Sequence, residues 1–179
     1  MRSIWLAAIG LAVSASACAD QVDFALNNDA FSAAYSSSRT GGTSSIDGGW
    51  YHHTKRGNVF DLGLKIDQYR GNDSYSLGGK AVFISNDVED ASALALGGAF
   101  SVALPGEPRV RFGGHAWFAP AVTSFNGAEG FSDLELRAGY RVLDRGEVYL
   151  AYRYININYE NRRDLTVQDG LMIGMQLSF

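Results

Sequence analysis

Leu171-Met172-Ile173-Gly174-Met175-Gln176-Leu177-Ser178-Phe179 places large apolar residues at every odd position. The even positions carry Met172, Gly174, Gln176 and Ser178. A period of two is that of a β-strand with one greasy face. What that face touches, a dry core or lipid, decides how the rest of the chain is read.

Working outward, the same period recurs. Phe60, Leu62, Leu64 and Ile66 alternate with Asp61, Gly63, Lys65 and Asp67. Leu94, Leu96, Gly98, Phe100, Val102 and Leu104 alternate with small residues. Leu134, Leu136, Ala138, Tyr140 and Val142 alternate with Asp133, Glu135, Arg137, Gly139 and Arg141. Short turn signals at Arg70–Asp73, Pro105–Pro108 and Asp144–Gly146 separate these stripes. Longer polar connections are expected at Pro120–Gly130 and Tyr159–Gln168, with a polar turn at Asn86–Asp90. Short and long connections therefore alternate, as the periplasmic turns and external loops of an outer-membrane barrel do.

About eight strands are expected from Ser45 onward, and the Ser/Gly-rich stretch Ser36–Gly49 reads as a loop. Val22, Phe24 and Leu26 share one parity, whereas Phe31, Ala33 and Tyr35 share the other. A turn at Asn27-Asn28-Asp29 makes ten strands and is preferred; a bulge there breaks the even count, and eight strands plus an N-terminal segment is the alternative. The fold class is all-β, a closed antiparallel transmembrane β-barrel of 8–10 strands. A soluble sandwich or lipocalin-like binding protein shares the alternation and is the competing reading.

Composition agrees with a barrel. The 179 residues include 21 glycines, only 3 prolines and 12% aromatics, and mean hydropathy is −0.07. Alternating lipid-facing and lumen-facing residues average to such a value. Met1-Arg2-Ser3 followed by the apolar run Ile4–Val13 and the small residues Ala17-Cys18-Ala19 reads as a secretory signal peptide, residues 1–19, cut before Asp20. Residues 20–179 form the barrel domain. Cleavage before Cys18, to give a lipoprotein, is disfavoured by Ala15, where leucine is usual. The cut after Ala19 removes the single cysteine, so no disulfide is expected, and makes the formal charge of −4 slightly more negative. That balance argues against nucleic acid.

Gly174, Leu177 and Phe179 resemble the C-terminal assembly signal of outer-membrane barrels. Gly78–Phe83, Trp117–Pro120 with Ser124-Phe125, Tyr149–Ile155 and Leu26–Asp29 together resemble motifs of the YfaZ family, in order along nearly the whole chain. The resemblance implies an outer-membrane barrel of a Gram-negative bacterium and no defined activity. It supplies no catalytic or ligand residues. The implied partners are outer-membrane lipid and, during biogenesis, the barrel-assembly machinery and periplasmic chaperones. The oligomeric state stays open.

Three constellations bear on chemistry. His52-His53 are strand neighbours and point to opposite faces, so they do not chelate one metal; Trp50, Tyr51, His52 and His53 instead suggest an interfacial strand end. Asp61, Lys65, Lys80, Arg111, His115, Glu135, Arg137, Arg141 and Arg153 all oppose greasy stripes and form the candidate lumen charge network. They either plug the lumen with ion pairs or line a narrow porin-like pore. His52, His53, Asp47, Ser124 and Glu129 are placed near an outer rim, where a lipid- or peptide-cleaving enzyme is the alternative, but no catalytic motif joins them. No cofactor and no enzymatic reaction are expected.

Overall fold

The computed structural model describes residues 18–39, 43–86, 90–159 and 164–179. Its strands are β1 (Cys18–Leu26), β2 (Ala30–Arg39), β3 (Ser44–His53), β4 (Gly57–Arg70), β5 (Asp73–Ser85), β6 (Ala91–Leu104), β7 (Glu107–Ala119), the two-residue β8 (Ser124–Phe125), β9 (Ala128–Leu143), β10 (Gly146–Tyr159) and β11 (Leu165–Ser178). Every pairing is antiparallel. The ten long strands form a ring in chain order, closed by β1 against β11. Asp20 and Phe179 exchange two backbone hydrogen bonds, 2.9 and 3.1 Å, at the start of that seam.

The first hairpin is a turn and not a bulge. The Asn27 side chain accepts hydrogen bonds from the backbone of Asp29 and Ala30, and β2 reverses against β1 from Leu26↔Phe31 onward. This makes ten strands. Ser36–Gly49, expected as a loop, is largely sheet: Ser36–Ser38 pair with Ser45–Asp47. Small residues hid the alternation there. The expected loop Pro120–Gly130 is also shorter. It contains a 3-10 turn, Ala121–Thr123, then β8 pairing with Ser92 and Ala93 of β6, then Asn126 and Gly127 at positive φ. Asn-Gly at two left-handed positions is a strong hairpin signal. The expected connection Tyr159–Gln168 is likewise shorter, since Tyr159 ends β10 and β11 begins at Leu165. The signal segment up to Ala17 and the turn residues 87–89 lie outside the described residues.

One end of the barrel carries both β1's start and Phe179, with two-residue turns at Gly71-Asn72, Pro105-Gly106 and Asp144-Arg145. We call it the terminal end. The terminal end also takes the four-residue link between β2 and β3; the far end carries three-residue turns at 27–29 and 54–56 and the longest connection, residues 120–127.

The alternation separates two environments. Leu62, Leu64, Leu77, Leu96, Leu136 and Ile173 all point outward and are each about 60–70% exposed, Leu77 and Leu96 reaching 72%. A closed sheet turns one face of each strand outside, so these side chains form a continuous apolar wall. Near the far end the wall carries an aromatic cluster. Trp50 stacks on Phe60 at 6.3 Å and meets Phe31 edge-on at 5.9 Å, and Phe31 stacks on Phe24. Tyr51 and His53, expected with Trp50 at the interface, instead point inward and are buried. Strand parity requires this once Trp50 faces out.

Candidate functional site

The lumen is layered along the barrel axis, and the inward positions of β9 read the layers in order: Phe131, Asp133, Glu135, Arg137, Gly139, Arg141. At the far end the layer is apolar. Val82, Ile155, Ile157 and Val167 are completely buried, with Trp117, Phe131 and Tyr159 packed among them. Alanines 91, 93 and 95 on β6 leave room for these larger side chains.

Beneath this plug lies a charged knot centred on Asp133, 1% exposed. Its carboxylate accepts from Lys80 Nζ at 3.0 Å, from Arg153 Nε and Nη2 at 3.0 Å each, and meets His115 Nε2 at 3.1 Å. The Arg153 contact is bidentate, the strongest geometry available to a carboxylate. Lys80 also lies 3.9 Å from Asp61 and 5.2 Å from the centre of the Trp117 ring. Arg153 stacks over Tyr51, whose hydroxyl donates to Gln168 Oε1 at 2.5 Å. Four strands, β5, β7, β9 and β10, are tied together by one carboxylate.

The next layer crosses the seam. Asp23 on β1 accepts from Arg137 on β9 at 3.1 Å and from the Tyr149 hydroxyl on β10. Arg137 also donates to Gln176 on β11 at 3.1 Å and stacks over the Tyr149 ring. The Tyr149 ring lies flat against Gly174, where any side chain would collide with it. Lys65 pairs with Asp47 at 3.3 Å in the same half of the lumen.

At the terminal end the lumen widens into a vestibule of about 400 Å³. Arg111 lies 3.7 Å from Glu147 and donates to Ser101 Oγ at 2.8 and 3.1 Å. Arg141 has neither an ion pair nor a side-chain hydrogen bond among the described residues. A smaller cavity of about 180 Å³ connects this level to the Asp133 knot through shared walls at Lys65 and Arg137.

All nine residues expected in the lumen network face inward, but they do not form a single network. Asp61, Lys80, His115 and Arg153 gather around Asp133; Lys65, Arg111 and Arg137 each take a different acid; Glu135 sits between them, cross-strand to His115 and Arg153. The four partner acids, Asp23, Asp47, Asp133 and Glu147, were absent from that set of nine although each shares its strand's inward parity. The expected rim constellation is not assembled. His52 faces outward with Asn58 Oδ1 at 2.9 Å from its Nδ1, His53 faces inward, and Asp47 lies in the lumen against Lys65. Gly174, Leu177 and Phe179 lie on β11, Gly174 inward and Phe179 exposed.

The model of the YfaZ precursor family matches residues 1–179. The chain belongs to the YfaZ family. No curated protein sequence matches this YfaZ chain. Among solved structures it is similar to the outer membrane channel DcaP of Acinetobacter baumannii, with 12% identity and a TM-score of 0.45 over 88% of this chain. The YfaZ chain spans about half of that channel, 54% of its length.

Proposed function

We propose that this YfaZ protein is a small outer-membrane β-barrel that opens on one side and conducts no solute, a membrane protein without an enzymatic reaction. The observation that carries this reading is the contrast between the two faces of one sheet. The outer wall is apolar around its whole circumference, while most charges of the same strands are paired inside. In water such a wall is an aggregation surface; in lipid it is the favourable face. The apolar plug above Asp133 supports a closed lumen over the narrow porin-like alternative.

Short turns at the terminal end support its facing the periplasm, with the longer connections outside. Export by a signal peptide cut after Ala19 fits a seam whose β1–β11 hydrogen bonds begin at Asp20. Gly174, Leu177 and Phe179 are proposed as the signal read by the barrel-assembly machinery, with periplasmic chaperones as earlier partners and outer-membrane lipid as the final one.

Planar-bilayer recording of the purified protein tests the closed lumen, with gel migration of boiled and unboiled samples as the test of the folded barrel. The expected result is a heat-dependent shift with no channel events. Regular conductance steps would replace the closed reading with the pore.

A further inference from the structure

We propose that a hollow in the outward face of β5, β6, β7, β9 and β10 binds a phospholipid whose head group carries an ammonium, with an acyl chain in the hollow and the ammonium at Asp169. The inference rests on the lipid-facing reading of the wall and deepens it from a general solvent to one bound lipid. Between Leu77 and Leu134 the wall drops to Gly98 and Ala116, leaving an open depression of about 760 Å³ on the outside of the barrel. Leu77, Phe100, Leu134 and Leu136 form its sides, and Tyr152 and Tyr154 close one edge. Its surface is almost wholly apolar, which suits an acyl chain.

Register ties the hollow to a charge. Leu77, Gly98, Ala116, Leu134, Tyr154 and Asp169 stand opposite one another on successive strands and form one outward row. Three strand spacings separate Ala116 from Asp169, about 14 Å at about 4.8 Å each. One leaflet is roughly 20 Å deep with its head groups, so a single lipid reaches both. The adjoining outward row reads Leu96, Phe118, Ser132 and Asn156, apolar beside the hollow and polar toward Asp169. The head-group level therefore crosses these strands at Ser132 and Asn156, with the hollow on its chain side.

Charge selects the head group. Asp169 is exposed on the outer face, and its carboxylate accepts from the Tyr152 hydroxyl. The row that carries it holds no lysine, arginine or histidine, and neither do Leu96, Phe118, Ser132 and Asn156 on one side or Tyr75, Phe100, Gly114, Leu136, Tyr152 and Leu171 on the other. A carboxylate held beside lipid without a cation is unfavourable; it repels a purely anionic head group and is offset by an ammonium. Tyr152 and Tyr154 add aromatic rings next to that carboxylate, a second attraction for a cation. The same two tyrosines edge the hollow, so the head-group and chain sites share a wall.

Native mass spectrometry tests the site. The full chain, refolded in detergent micelles, is mixed with equal amounts of phosphatidylethanolamine and phosphatidylglycerol bearing the same acyl chains, and the retained lipid is counted. Wild type is expected to keep phosphatidylethanolamine several-fold more often than phosphatidylglycerol. Asp169→Asn should bring the two to equal retention, and Ala116→Phe should fill the hollow and lower both. An NMR measurement on the wild type needs no variant: phosphatidylethanolamine spin-labelled on its acyl chain should broaden the amides of Gly98 and Ala116 more than those of the outward Leu62 and Ile173. Equal retention of the two lipids by wild type overturns the head-group assignment. Ala116→Phe retaining as much lipid as wild type, or uniform broadening over the wall, overturns the hollow. A lipid-free dimer assigns this face to a second copy of the chain and overturns the site. Heat-dependent gel migration keeps these failures apart from failure of the barrel. Wild type that shifts on heating but retains no lipid loses this site alone, whereas the absence of a shift removes the membrane barrel itself.

Discussion

Asp133 is the most constrained residue of the lumen, because two cations and an imidazole converge on a carboxylate that is itself 1% exposed. Removing it leaves Arg153 without its bidentate partner and Lys80 with only the longer contact to Asp61, 3.9 Å. Asp133→Ala is expected to destabilise the barrel by about 3–5 kcal/mol, the usual cost of breaking one side of a buried pair. Urea unfolding in micelles checks this. Gly174 acts by what it lacks: the Tyr149 ring occupies the place of a side chain there. Gly174→Leu should displace Tyr149 from Asp23 and cost about 1–3 kcal/mol through overpacking. Gly48→Ala is the control, since a Cβ at that position meets its nearest atom at 3.7 Å. At this scale the sequence was legible in direction only. Alternation tells that Asp133, Glu135 and Arg137 face inward. It does not tell that Lys80, His115 and Arg153 reach the same carboxylate, because those contacts depend on stagger between strands far apart in sequence.

Among the elements, β6 carries the clearest division of faces. Leu94, Leu96 and Phe100 point out, whereas Ala91, Ala93 and Ala95 point in against the plug. Leu96→Arg distinguishes lipid from water around the barrel. In a bilayer it is expected to cost about 2–4 kcal/mol near the midplane. On a soluble barrel an exposed leucine would tolerate the same change within about 0.5 kcal/mol. Folding titrations in lipid vesicles provide the comparison. Strands such as β6 and β11 were legible because large and small, or apolar and polar, residues alternate on them. The β2–β3 hairpin was not, since Ser36–Ser38 and Gly48-Gly49 present little contrast between faces. The turn from β8 to β9 had a usable signal in Asn126-Gly127, masked by the loop-like composition around it.

The whole molecule is a closed ring with different chemistry at its two mouths. Double truncation of the plug, Ile155→Ala with Ile157→Ala, should open a water path at the far end and produce small conductance steps, whereas the closed reading expects none from wild type. Bilayer recordings of both proteins make that comparison. Parity and turn chemistry pointed to a closed barrel and favoured ten strands over eight, with the choice resting on the turn at Asn27-Asn28-Asp29. The layering from plug to knot to vestibule did not, because it depends on which inward residues stand at the same height on ten tilted strands.

That layering also determines where an electrical potential falls. Mobile ions reach the vestibule, so it remains near the potential of the compartment onto which it opens. In the closed barrel proposed above the apolar layer admits none, and the drop is concentrated across the layers that hold Asp133 and Tyr159. Charges at Arg111 and Arg141 therefore sense the composition of one compartment only. The buried pairs around Asp133 stand at the edge of the steepest field in the barrel, held against it by bidentate contact.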